Sequence, residues 1–261
     1  MITMADRSFQ RERIVIRQIG MADLGWALRR GWDDFQEKRG DIIVVALVYP
    51  IFGLFTAAFA VQGRLLPLIF PLFAGLSLMG LAIAAGFYEL AKRRENGEDA
   101  RWRHFLDAYR GASLAAIAPV TIFLALLFMA WLGSAWALYV ANFGPHTPSS
   151  PDAFIAMVLG TAPGRRLILI GNLVGLAFAA IVLATSVVSL PMLIDRHGDP
   201  LTAVATSVRA TWRNAGMMAV WGLIVAALLV IGTLLFLVGL AVVLPVLGYA
   251  TWHLYTRLIE R

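Results

Sequence analysis

The chain has 261 residues, of which 60% are hydrophobic and only 15% charged, and its mean hydropathy is +0.76. A soluble domain sits nearer half apolar and a quarter charged, and here the charges are gathered into short blocks between uncharged runs, the pattern of an integral membrane protein. The net charge of +6 falls at the ends of apolar runs, where it acts as an orientation signal rather than a nucleic-acid footprint, and the lack of cysteine excludes disulfides, thiolate catalysis and Cys-ligated metals.

Residues 1–20 form a polar, basic arm with an alternation at Ile14, Ile16 and Ile19 that suits a short strand, an extended segment or disorder alike. The arm lacks the apolar core and small-residue cleavage site of a signal peptide. From Met21 to Lys38, Met21, Leu24, Leu28, Trp32 and Phe35 share one helical face. Their spacing predicts an amphipathic helix lying on the headgroups. A first span is expected over 42–61, interrupted at Tyr49-Pro50, and a second over 68–91 after the turn Gln62-Gly63-Arg64. In the polar block that follows, Trp102, Phe105, Leu106 and Tyr109 make another helical stripe.

The third span is expected over 112–141. Ser150-Pro151-Asp152 reads as a helix start, so a short surface helix is expected over 152–159 before a fourth span at 167–194. Leu201, Val204, Ala205, Val208 and Trp212 make a third stripe, and Gly216–Thr256 then runs 41 residues without a charge. As one helix this run would be about 61 Å long, twice a hydrocarbon core of about 30 Å. Two spans are expected instead, 217–237 and 241–256, turning near Val238-Gly239-Leu240. The expected fold is all-α: residues 21–260 form one membrane domain of six transmembrane helices.

Segments on one side of these spans carry nineteen Lys and Arg, against Arg64, Arg165 and Arg166 on the other. The bias places both termini in the cytoplasm. Trp32, Tyr109 and Trp212 hold equivalent places at the ends of the three stripes, each four residues after an apolar partner: Leu28, Phe105 and Val208. With Trp252 they are the expected interfacial anchors. Each stripe leads into a two-span hairpin starting on the same side, a threefold parallel repeat.

Polar groups inside spans are costly and therefore informative. Glu89 stands near the cytoplasmic end of span two, where a proton site competes with pairing to Lys92 or Arg93; pairing is the expectation. Asn172 lies mid-depth in span four within Gly171-Asn-Leu-Val-Gly175, where GxxxG packing outweighs a substrate contact. His253, between Trp252 and Leu254 near Tyr255, is a haem-ligand candidate outweighed by the aromatic belt. No nucleotide-binding, zincin or hydrolase motif occurs. Neither enzyme activity, cofactor, metal nor nucleic acid is expected. The expected contacts are the lipid bilayer and another membrane protein or complex, in the role of a non-catalytic accessory or scaffold factor. A small-molecule permease is the alternative, resting on Glu89, Asn172 and prolines such as Pro50, Pro119, Pro191 and Pro245.

The stretch SVRATWRNAG to WHLYTRLIER, with ADLGWALRRGWDDF and the YPIFG at Tyr49–Gly53, resembles the bacterial integral membrane proteins called domain of unknown function 2189, over roughly residues 15–260. The resemblance implies a polytopic inner-membrane protein without an established activity. Some similar proteins carry cytochrome-oxidase-type labels, but the spans here lack the buried histidines that an oxidase core needs to hold haem and copper.

Overall fold

A computed structural model describes residues 14–46, 51, 66–146, 148–196, 198–235 and 238–260. Among these residues the chain is all-helical: α1 Met21–Ala46, α2 Ile69–Glu95, α3 Gly111–Phe143, α4 Pro151–Gly160, α5 Ala162–Ser186, α6 Ser189–Arg196, α7 Pro200–Arg213, α8 Ala215–Leu234 and α9 Leu240–Leu258. Two 3-10 segments, Leu66–Leu68 and Trp102–Tyr109, precede α2 and α3. Three of the described runs are long and apolar enough to cross a bilayer: α3, the run Ala162–Arg196 and α8. The protein is a multi-pass integral membrane protein. Most of the expected span 42–61, with its Tyr49-Pro50 break, lies outside the described residues.

Local signals set the boundaries. Ser150 Oγ accepts from the backbone N–H of Ala153, Thr161 Oγ1 from Gly164, and Asp199 Oδ2 from Thr202. Each cap is followed by proline in the first turn, where no backbone donor is needed. The expected fourth span is broken into α5 and α6 at Val187-Val188. Pro191 explains the break, because its ring crowds the carbonyl four residues earlier and it offers no N–H. Val188 N–H donates instead to Ser207 Oγ of α7 at 3.1 Å. The turn between α8 and α9 is closed by glycines: a Cβ on Gly239 would lie 2.8 Å from Gly232 Cα.

The centre of the fold is α9, buried continuously from Leu244 to Tyr255. Helix α1 runs antiparallel along it, with Asp23 beside Arg257 and Gly31 beside Val246 and Ala250. The backbones nearly touch: a Cβ on Gly31 would lie 2.6 Å from Ala250 N and 2.7 Å from Val246 O. The face of α1 that packs is Leu24, Ala27, Gly31, Asp34 and Phe35.

The expected headgroup stripe is divided: Leu24 and Phe35 are buried against the protein. Met21 and Trp32 are 60% and 44% exposed, and the helix continues without a break to Ala46. The second stripe is also rearranged. Trp102–Tyr109 is a 3-10 segment, and its buried residues are Phe105 and Ala108, three apart as that geometry requires, while Trp102 and Leu106 point outward.

In α7 the polarity is inverted: Ala203, Thr206, Ser207 and Ala210 face the protein, and Leu201, Val208 and Trp212 face away. The arm meets the chain's far end through an antiparallel bridge, Ile16 with Ile259. Asn214, between α7 and α8, clamps it by accepting from Ile19 N–H and donating to Arg17 O.

Candidate functional site

At the charged end of the molecule α1, α2 and α9 converge on a buried ionic cluster. Asp34 is only 2% exposed and His253 only 3%. His253 Nε2 donates to Asp34 Oδ2 at 2.8 Å. The second carboxylate oxygen lies 2.9 Å from Arg94 Nη1, an ion pair whose N–H is not aimed along the contact. Arg94 Nη2 pairs outward with Glu37. A charge taken from water must be recovered by close partners; the carboxylate of Asp34 meets one on each side.

The other face of His253 is apolar. Trp26 meets the imidazole edge-on at 5.6 Å, and the Arg257 guanidinium stacks 4.1 Å over the Trp26 ring. His253 Nδ1 is buried without a hydrogen-bond partner. Arg30, Asp33, Gln36, Glu37 and Arg94 line an open cleft of about 420 Å³ outside the cluster. The same end is tied together at further points. Tyr255 Oη donates to Asp195 Oδ2 at 2.8 Å, and Trp252 Nε1 to Glu95 Oε2 at 3.4 Å. Lys92 Nζ donates at 2.8 Å to Ile194 O, in the last turn of α6, where a cation meets the negative end of the helix.

The sequence candidates land in different places. Glu89 Oε1 accepts from Arg93 Nε at 2.7 Å. Arg93 continues to Asp107 Oδ2 at 3.1 Å, and His104 Nδ1 reaches the same oxygen at 2.9 Å. Beside them, the Arg101 guanidinium bonded to Asp99 holds that carboxyl well below the usual carboxylate range. His253 and Trp252 are not interfacial: Trp252 is fully buried, because the end of α9 is wrapped by α1, α2 and α6 rather than exposed to headgroups.

Tyr109, the second expected anchor, points inward. Its hydroxyl donates to Ile83 O at 2.9 Å and accepts from Gly86 N–H, and burial pushes the phenol pKa up. Asn172 faces away from the bundle, its Nδ2 bonded to Ile168 O one turn back. Gly171 has open space where a Cβ would stand, and Gly175 has only Trp131 Nε1 at 3.9 Å. The GxxxG motif therefore makes no close helix contact within the described chain.

Sequence reasoning missed Asp34, Arg94 and Asn214. The available signal was Ala27-x3-Gly31 followed by Asp34, a small-residue stripe that admits a close helix and carries one acid in register. Among the described residues no group of three His, Asp or Glu is placed to hold a metal ion.

Residues 69–195 match the family model described as "Predicted integral membrane protein (DUF2189)". Over that segment, a little under half of the chain, it is similar to the domain-of-unknown-function-2189 family. No curated protein and no solved structure matches the chain significantly. The family segment runs from the start of α2 through α6. It thus holds Arg94, Glu89 and Asp107, while Asp34 and His253 come from helices on either side.

Proposed function

We propose that this protein is a member of the domain-of-unknown-function-2189 family and a non-catalytic accessory or scaffold factor for another protein of a bacterial inner membrane. Its reading is six spans with both termini cytoplasmic: α2, α9 and the segment at 42–61 join the three strongly apolar runs. The three hairpins follow a threefold repeat, each entered from the charged end. The observation that carries the scaffold role is a division of labour. Buried charges at the charged end hold α1, α2 and α9 to one another, while only 6% of the most apolar window in Ala162–Arg196 is buried. Such a span offers its flanks to lipid and to neighbouring proteins.

The permease alternative has less support. Glu89 is engaged by Arg93 and Asn172 faces outward, so neither lines an internal route. Mild-detergent purification followed by mass spectrometry is the test. A stoichiometric membrane-protein partner is expected, with no haem bands in the absorption spectrum. A solute flux abolished by Glu89→Gln or Asn172→Leu at normal membrane levels would overturn the scaffold reading. Reporter fusions after Arg64, Gly160 and Gly239 are expected outside, and after Asn96, Gly198 and Arg261 inside. An outside signal at Gly198 breaks the six-span topology.

A further inference from the structure

Helix α7 has three faces. Ala203, Thr206, Ser207, Ala210 and, just beyond its end, Asn214 recur at helical spacing and are buried against the protein. On the opposite side stand Leu201 (80% exposed), Ala205, Val208 and Trp212 (85% exposed). Between these faces lie Thr202, Arg209 and Arg213, all exposed. At 100° per residue the apolar ridge centres about 180° from the buried face, and the basic ridge about 90° from each.

Among the described residues the arginines of α7, like Arg29 and Arg30 of α1, stand outside the ion-pair network of the charged end. Arg93, Arg94, Arg101, Arg103 and Arg257 each lie within ion-pair distance of a carboxylate. Neither Arg209 nor Arg213 has such a partner among the described residues, and Pro200–Arg213 contains no Asp or Glu. Arg209 only folds back on its own helix, donating to Ala205 O and Thr206 Oγ1 at 3.3 Å. Two residues beyond Arg213, α8 enters its apolar run, so the ridge stands beside the point where the chain meets the bilayer.

A helix with an unpartnered apolar ridge beside an unpaired cationic one, at the mouth of a span, matches a boundary that is apolar below and negatively charged above. We propose that α7 is a binding site for acidic phospholipid. Leu201, Val208 and Trp212 seat at the headgroup–acyl boundary, and Arg209 and Arg213 hold the lipid phosphate. Arg213 reaches it directly, and Arg209 by exchanging its weak bonds to Ala205 and Thr206 for charge-assisted ones. The buried face is required for this: by packing small residues on α3, α5 and α6, it fixes the other two faces outward. The inference rests on the membrane-protein reading and is independent of the accessory role.

Native mass spectrometry of the full chain tests it, after equilibration with equal phosphatidylglycerol and phosphatidylcholine in mixed micelles. The wild type is expected to retain phosphatidylglycerol in about tenfold preference. Arg209→Gln/Arg213→Gln brings this to near parity, whereas Arg165→Gln/Arg166→Gln, at the start of α5, leaves it unchanged. Trp212→Ala lowers occupancy by both lipids without changing their ratio. Should the double variant lose its monodisperse peak, Arg213→Gln alone is read the same way and must lower the preference. Millimolar inorganic phosphate is expected not to displace the lipid. Full displacement would make this a soluble-anion site and overturn the proposal. So would an unchanged preference in the Arg variants, or variants that shed a co-purifying protein while keeping their lipid.

Discussion

Replacing Asp34 with leucine removes the carboxylate between His253 and Arg94. The Asp34 and His253 side chains are 3% and 4% exposed, and both partners lie within 3 Å. Water cannot take the place of the lost acid without opening the contact between α1 and α9. Removing one member of a buried ion pair costs about 3–5 kcal/mol. For a chain of this size each kcal/mol moves the midpoint by about 2–4 °C, so the expected fall in Tm is about 6–20 °C. Asp34→Asn keeps the shape and one acceptor for His253 and should fall between leucine and wild type. Glu37→Gln is the internal control. It touches the same Arg94, but Glu37 is 63% exposed, and a solvated pair is worth below about 1 kcal/mol. Thermal unfolding in a mild detergent, followed by the fluorescence of the buried Trp221 and Trp252, reads all three. If Asp34→Leu shifts the midpoint no more than Glu37→Gln, the cluster is not holding α1 to α9 and the reasoning fails.

Two glycines in α1 make a matched pair. Gly31→Ala places a Cβ 2.6 Å from the Ala250 backbone and should cost about 1–3 kcal/mol, while Gly25→Ala meets nothing within 4 Å and should stabilise by about 0.5–1 kcal/mol; chemical-denaturation midpoints of opposite sign are the expected result. Ser207→Ala leaves Val188 N–H without its acceptor at the break between α5 and α6, a loss of about 1–3 kcal/mol that Ser207→Thr should largely spare. Burial raises the Tyr109 pKa above its unfolded value, so its contribution is complete below about pH 10 and is lost as pH rises from there through the folded pKa. The Tm advantage of wild type over Tyr109→Phe should therefore be constant from pH 7 to about 9 and shrink above about 10; an advantage that grows with alkalinity would contradict the buried donor.

Helix positions were legible because each carries its own signal. Ser150-Pro151 announces a helix start, and the uncharged 41 residues needed a turn close to the place where α8 ends at Leu234 and α9 begins at Leu240. Which face of each amphipathic helix packs on the protein was less legible. In a soluble protein the large apolar residues of an amphipathic helix mark its core face. In a bilayer, lipid accepts those residues, and the inward face is made of small or hydroxyl residues that allow close approach. Met21 and Trp32 in α1, and Leu201 and Trp212 in α7, therefore stand outward, while Ala27, Gly31, Ala203 and Ser207 carry the packing. The ionic cluster was not legible for a different reason. Asp34 and His253 are 219 residues apart, and no periodicity reports which helices meet. His253 stands as a lone histidine beside aromatics, and its neighbours in sequence do not reveal that α1 covers it.

The antiparallel contact between α1 and α9 also sets a clock on synthesis. Helix α1 leaves the ribosome before α9, its main partner among the described helices. At about 5–20 residues per second, Asp34 waits roughly 10–45 s for His253 to be made. Throughout that interval the inward face of α1, with its acid and its exposed backbone at Gly31, is uncovered. A nascent chain that stalls before α9 keeps that face uncovered. That face is covered once α9 docks and residues 15–17 of the arm pair with 258–260.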